Sequence, residues 1–480
     1  MKKVLVMISV TLAARLVVAQ EPNIDSLMGE DWYGLYMNGQ KCGWAMSRLS
    51  RSDTGEVIAL DDAQYQLSMF GAKQELRTRS ERTYAMDGRL VRIESRVDDP
   101  ASTKRYTLET NKGGAVLRTM IGDVAEETPI PLPKESLADY VKNARLTGTE
   151  AKVGDTLTVS AFDPMLENET EVTSTIVAIE ERTFEGVPTK VFKVKSLIHS
   201  LGLESVAYID ESGTLLEDIV AGIITMRLEP KEVAQDVDYS NDVIVSNAAL
   251  VETPIKNPRG RSRLRMRMEG PLTGDHIFND ERQQITPDNG AFVFEATRTV
   301  MDDYEAARLP ITEPTVIEWI KPTLYVQSDD PALIAKSKEI VGDETDAAKI
   351  SEKLCYWVKD NVRTVYSAQL TNAVEVLKRL EGDCTEHSIL FIGLARAAGL
   401  PAREVAGLIY TDTGGPAGFY FHQWAKVWVG KWIDVDPTFN QPTADVTHIK
   451  LSEGDLLEQS RLIPVIGQIK VAPIEDGSES

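Results

Sequence analysis

Cys384, His422 and Asp436 follow one another as the residue types of a thiol nucleophile, its base and the acid that orients the base. Cys384 lies in Gly382-Asp383-Cys384-Thr385-Glu386-His387, at the start of an apolar helical run that Gly399 and Pro401 bring to a stop. Asp383 fits as the N-cap and Glu386 falls in the first turn. Phe391, Leu394, Ala395 and Ala398 give the predicted helix one apolar face. Backbone N–H groups and the helix dipole at such a start favour a thiolate over a thiol. The acidic neighbours oppose this, and a histidinium contact would tip the balance.

The base and its acid depend on strand register. His422 opens a strand-like run, with Trp424, Lys426 and Trp428 on its face. Asp436 sits just before Pro437 at the end of the run from Trp432. A two-residue turn at Gly430-Lys431 would pair Ala425 with Asp436 and put His422 and Asp436 on opposite faces. A three-residue loop over Val429 to Lys431, or a bulge, pairs Trp424 with Asp436 and makes the two same-face diagonal neighbours. The chemistry therefore requires the odd loop or the bulge. Asp434 shares the parity of Asp436 and is the second candidate for the orienting acid.

Each of these residues also has a plainer reading. Free cysteine is commonly a core residue. His387 is one turn from Cys384, and a Cys384/His387/His422/Asp436 zinc site is conceivable by ligand type, but Cys-x-x-His without a second paired motif is a weak signature. The expectation is no metal, with His387 a packed or capping residue. His199, His276 and His448 have no motif context and read as ordinary polar residues. Trp424, Trp428 and Trp432 could line a substrate groove but read first as core at strand spacing, with Trp424 placed near the site. The loop Gly414-Gly415-Pro416-Ala417-Gly418 lacks the Lys-Ser/Thr of a phosphate loop and reads as a connection or a flap. No cofactor signature is present.

The elements that must position these residues occupy a long chain. Its 480 residues suit about three domains, and 42% hydrophobic content supports a large core. A net charge of −22 argues against nucleic acid and against an anionic membrane surface. Residues 1–19 read as a secretory signal: Lys2 and Lys3, an apolar Val4 to Leu12, and small Val17 and Ala19 before the cut, with Arg15 as a blemish. No later stretch reaches the ~20 apolar residues of a membrane span. An exported, periplasmic or extracellular location follows as an expectation. Three cysteines make no disulfide framework, although Cys42 and Cys355 could pair and leave Cys384 free.

Residues 20–240 read as β-rich, an antiparallel sheet or sandwich punctuated by turns such as Asp87-Gly88, Glu185-Gly186 and Ser212-Gly213, with a short helix over Ser136 to Asn143. A second β segment covers 241–325. In it Arg261, Arg263, Arg265 and Arg267 share one strand face, which reads as a solvated face before an anion site. From Pro331 the period becomes helical, over Ala332 to Val341, Glu344 to Val362 and Asn372 to Leu380.

Gly382-Asp-Cys-x-Glu-His387, Leu394-Ala-Arg-Ala-Ala-Gly-Leu-Pro-Ala-Arg403, His422-Gln-Trp424 and Trp432-Ile-Asp-Val-Asp-Pro-Thr438 together resemble the transglutaminase-like superfamily, in the family's order and spacing. The resemblance covers about residues 330 to 450. It implies an α+β, papain-like domain at 326–465, followed by a tail at 466–480. It implies Cys384, His422 and Asp436 as catalytic residues and acyl transfer through a thioester, with a protein or peptide as substrate. Amide hydrolysis is expected slightly ahead of transamidation. Lys426 departs from the family pattern, where an acid is common. Candidates for the second oxyanion donor, beside the Cys384 N–H, are Tyr366, Gln369 and Trp357. The alternative is a non-catalytic binding or scaffold protein that uses the papain-like domain as a platform.

Overall fold

In the computed structural model, residues 24–474 are described, apart from 38, 70–71, 101–102, 112, 122–123, 148–149, 166, 201, 240–241, 243, 301–304, 324, 367–370, 456–457 and 460. The expected signal at 1–19 and Gln369 lie outside the described residues. The described residues divide into two compact units, one holding most of those up to 239 and the other those from 242 to 474.

The first unit is built on one 14-stranded antiparallel sheet. Strands β1 (Gly29–Met37) to β8 (Val124–Ile130) follow as neighbouring hairpins, as do β9 (Thr156–Asp163) to β14 (Ile224–Leu228). The pairing of β1 with β14, Tyr33 opposite Leu228, joins the two runs into one sheet. The turns at Gly88, Gly186 and Gly213 all use positive φ, as their Asx-Gly or polar-Gly signals imply. The sheet curls on itself. Arg82 on β4 (Ala72–Tyr84) donates to the Phe162 carbonyl on β9, at the far end of the strand order, at 3.2 Å, and pairs with Glu135 at 3.1 Å. Helix α1 (Leu137–Leu146) occupies the predicted helical stretch, and α2 (Lys231–Ala234) follows β14.

In the second unit, β21 (Ala402–Thr411), β22 (Gly418–Trp428) and β24 (His448–Glu453) form a sheet with β15 (Ala249–Leu250) at its edge and β23 (Trp432–Val435) on β22. A second sheet holds β16 (Arg263–Glu269), β17 (Gln283–Asp288), β18 (Ala291–Thr297) and β25 (Lys470–Pro473), and the short β19 (Arg363–Thr364) and β20 (Glu381–Gly382) pair in parallel. Leu408, Tyr410, Ile449 and Leu451 of the first sheet share one core with Met266, Met268, Ile285 and Phe294 of the second. Neither apolar face could be buried alone, so the segments read as separate at 241–325 and 326–465 fall in one unit. Part of the expected tail is likewise structured, since Met266 pairs with Pro473.

The arginine strand is β16. Its Leu264, Met266 and Met268 enter the core, while Arg263 and Arg265 meet Glu295 and Arg267 meets Asp288. It is a solvated, ion-paired face.

Among the described residues, the unit also holds α3 (Pro331–Val341), α4 (Ala347–Asn361), α5 (Ala373–Arg379) and α6 (Cys384–Ala397). Asp330, Asp346, Asn372 and Asp383 cap them with side-chain oxygens. The apolar face of α6 is buried, and burial extends beyond it. From Glu386 to Arg396 the helix is buried on all sides, packed by α3, α4, α5, β21 and β22.

Candidate active site

Cys384 is the first residue of α6. The Asp383 carboxylate accepts from the Thr385 N–H at 3.0 Å, and the Asp383 N–H donates to Glu386 Oε2 at 2.8 Å, so the capping box is complete. Gly382 lets this turn close: its φ is +156°, and a Cβ there would lie 2.2 Å from the Glu386 Cβ. Cys384 is partly accessible, whereas Cys42 and Cys355 are buried. Burial pushes the Cys42 thiol up to about 12 and raises that of Cys355. All three thiols are free, so the Cys42–Cys355 pairing considered above is not formed.

The hairpin uses the three-residue loop. Trp428 pairs with Trp432 and Ala425 with Val435, which leaves residues 429–431 as the connection. Asp436 is then the next position, facing Trp424, and lies diagonal to His422. His422 Nε2 is 2.8 Å from Asp436 Oδ2. Cys384 stands close enough to the ring to raise its pKa. The Ser388 hydroxyl reaches both the Cys384 carbonyl (2.7 Å) and the Gln423 carbonyl (3.0 Å), tying the start of α6 to the residue after His422.

Burial alone would lower the His422 pKa; the negative charge of Asp436, and then of Cys384, outweighs it and raises the value to about 9. Asp436 is fully buried, which by itself raises its pKa, yet His422 and His448 hold it well below the usual carboxylate range. Its Oδ1 accepts the Thr438 and Phe439 N–H groups at 2.8 and 3.2 Å. The runner-up, Asp434, shares that face but is engaged elsewhere, by Arg282 at 2.7 Å and by the Trp424 indole at 3.3 Å.

One sequence expectation is overturned here. His448 is no ordinary polar residue: it is fully buried, with Nε2 2.9 Å from the same Asp436 Oδ2. Its Nδ1 faces the Asp445 carbonyl oxygen at 3.2 Å and Asp445 Oδ1 at 3.4 Å. Arg259 backs Asp445 at 2.9 Å. His448 and His422 belong to strands on either side of β21, whose Gly407 pairs with both His422 and Lys450. A Cβ on Gly407 would stand 2.0 Å from the Ile449 carbonyl oxygen. No local motif in the sequence signals this cross-strand meeting.

His387 faces away from the cluster. Its Nδ1 is 2.7 Å from the Asp383 carbonyl and its Nε2 3.2 Å from that of Val362, and burial lowers its pKa. Both ring nitrogens thus face backbone carbonyls, which ties the start of α6 to the end of α4. His276 caps a turn through Thr273, and His199 meets Thr173. Lys426, the departure from the family pattern, is buried with Lys450 among Asp280 and Glu453. Tyr366 is exposed; burial of its phenol, then the charges of Cys384 and Asp383, raise its pKa. Trp357 carries Lys336 over its ring instead.

His422, Asp436 and His448 have the ligand types of a transition-metal site, with their ligand atoms within 4.8 Å of one another. Their geometry is that of hydrogen bonds. Both imidazoles aim at one oxygen at 2.8 and 2.9 Å, whereas zinc ligands converge on a point about 2.0–2.2 Å from each.

Residues 334–437 match the transglutaminase-like superfamily. A curated protein of Haemophilus influenzae (strain ATCC 51907 / DSM 11121 / KW20 / Rd), of uncharacterized function, is 34% identical over 98 residues, which cover 19% of this chain and 26% of that protein. The chain thus spans about a quarter of the length of that relative. Among solved structures, a candidate cysteine protease from Cytophaga hutchinsonii is 17% identical, with a TM-score of 0.32 over 45% of this chain and 88% of its own. A β-barrel-like protein from Brucella abortus is 8% identical, with a TM-score of 0.33 over 42% of this chain and 94% of its own. In the second unit, the motifs at 382–387, 394–403, 422–424 and 432–438 lie in or beside the matched range, and the chain carries a C-terminal transglutaminase-like domain.

Proposed function

We propose that this protein is a thiol acyltransferase that acts on peptide or glutamine-type amides, with hydrolysis favoured over transamidation. The observation that carries this reading is a partly open cysteine on a capped helix start, near enough to a buried imidazole to raise its pKa, with the Nε2 of that imidazole 2.8 Å from a buried carboxylate. In the proposed reaction the Cys384 thiolate attacks the amide carbonyl carbon. His422 gives its proton to the leaving amine, and a thioester to Cys384 remains. Neutral His422 then takes a proton from water, or from an incoming amine, as that group attacks the thioester, and the thiolate departs. Asp436 keeps its charge throughout and fixes the ring. The Cys384 N–H, unpaired within the helix at this position, and the Tyr366 hydroxyl are the donors proposed for the oxyanion. Export of the chain, with residues 1–19 removed, is part of the proposal and accords with its free, accessible thiol serving as a nucleophile. No helix among the described residues is long and apolar enough to cross a membrane.

The test is selective chemistry at sulfur. Iodoacetamide at pH 7 is expected to label Cys384 far faster than Cys42 or Cys355, read by peptide mass spectrometry, and a peptide-amide probe is expected to leave an acyl adduct on Cys384 that His422→Ala does not form. Slow, equal labelling of the three cysteines would favour a non-catalytic scaffold. Stoichiometric zinc that is lost in Cys384→Ala would rule out the thiol mechanism.

A further inference from the structure

Asp436 lies between two imidazoles, and the acyl-transfer chemistry uses only one. The second, His448, has an oxygen acceptor at each ring nitrogen: Asp436 Oδ2 at 2.9 Å on one side, and the carbonyl and Oδ1 of Asp445 at 3.2 and 3.4 Å on the other. A neutral imidazole has one N–H and would turn a lone pair toward one of these oxygens. Here, unlike at His387, both sides carry a carboxylate.

We infer that His448 is a positioning residue, a buried imidazolium that donates to both Asp436 and Asp445 and so fixes the carboxylate that orients His422. The proposal rests on the acyl-transfer reading for its purpose, but its geometry stands apart from that reading.

The surroundings support a cation. Facing His448 are Asp436, Asp445 and the His422 ring at 5.9 Å between centroids. Trp424 packs edge-on at 5.1 Å. Arg282 donates to the His448 carbonyl at 2.8 Å, and Arg259 stands beyond Asp445. Lys450, two residues along the strand, is drawn to Asp280, Asp434 and Glu453. Burial opposes a charge on His448, and the bonds to the two carboxylates outweigh it, so its pKa is raised. With both Oδ1 and Oδ2 taken, the Asp436 carboxylate has no free rotation left. A shared positive charge also limits how strongly Asp436 can hold the proton on His422.

The experiment is nitrogen-15 NMR of the five histidine rings in the full-length chain, in a Cys384→Ala background, with His448 assigned by its loss in His448→Gln. Two N–H signals with imidazolium shifts are expected for His448 at pH 7. In His448→Gln the His422 ring is expected to titrate at higher pH than in the parent, because the cation beside Asp436 has gone. In Asp445→Asn, which leaves Asp436 untouched, His448 is expected to lose its proton at lower pH. With Cys384 restored, His448→Leu should slow iodoacetamide labelling about tenfold, and His448→Gln should recover most of it. A neutral His448 ring at pH 7, or a His422 midpoint that does not move in His448→Gln, would overturn the proposal, even if labelling slows. Should His448→Leu fail to fold, the Asp445→Asn titration decides: an unchanged His448 midpoint overturns it. Slow labelling of wild-type Cys384 would sink the acyl-transfer reading instead and leave the ring titrations interpretable.

Discussion

Both units bury aspartates, and they treat them in opposite ways. In the N-terminal sheet Asp61 is buried with a Ser47 hydroxyl at 2.9 Å and with Arg82 nearby, yet Arg82 is committed to Glu135. Burial wins there and pushes Asp61 up to about 6. In the C-terminal unit Asp434 and Asp436 are buried as deeply, and burial again pushes them up. Lys450, Arg282 and Lys426 around the first, and two histidines on the second, overcome it and hold both low. A buried carboxylate is held low only where cations are supplied in number, as they are both at the residue that orients His422 and at Asp434 two positions before it.

This contrast can be broken at several points. The largest change is expected from His422→Ala or Asp436→Ala, which should lower acylation of Cys384 by a peptide-amide probe by about 10³-fold or more while Cys42 and Cys355 label as before. Acylation in the wild type should fall as pH rises through about 9, where His422 loses the proton it must donate. The stabilising contribution of protonated His422 has the same sign. Its folded pKa is raised, so the contribution is full below the unfolded value near 6.5 and is lost as pH rises through about 9. Stopped-flow acylation and thermal melts across pH 6–10 check both.

Gly407→Ala comes next. Its new Cβ would meet backbone rather than a flexible side chain, so a loss of about 2–4 kcal/mol is expected in the transition of the C-terminal unit, read by calorimetry. Asp61→Asn tests the other side of the comparison. The raised carboxyl favours the folded state below about pH 4, and that advantage is lost as pH rises through about 6. The variant should therefore gain about 1–3 kcal/mol over wild type at pH 7.5 and almost nothing at pH 4. The smallest effect is expected at an exposed cross-strand pair: Lys195→Ala removes an ion pair to Glu204 at 2.7 Å between two half-exposed side chains, and melting should not change measurably.

How far the sequence could be read follows from how local each signal is. The cap at Asp383, the Glu386 return bond and the stop at Gly399 lie within one helix, and all were legible. The His422–Asp436 meeting was legible as a condition, because a hairpin's loop length sets its register. His448 was not, because its approach to Asp436 passes across β21 and depends on which strands are neighbours. The charge cluster of Asp280, Arg282, Asp434 and Lys450 was hidden for the same reason. In the N-terminal unit the turns were evident, but the joining of two strand runs into a single sheet rests on the pairing of β1 with β14, which no turn announces.

The pairing of β25 with β16 has a consequence for biosynthesis. The sheet that backs the core beneath Leu408 and Ile449 receives its edge strand from Lys470–Pro473, far along the chain from β16. Contacts of such long sequence separation form late. The core that backs β21 is therefore closed only after residues downstream of Cys384, His422 and Asp436 have been synthesised.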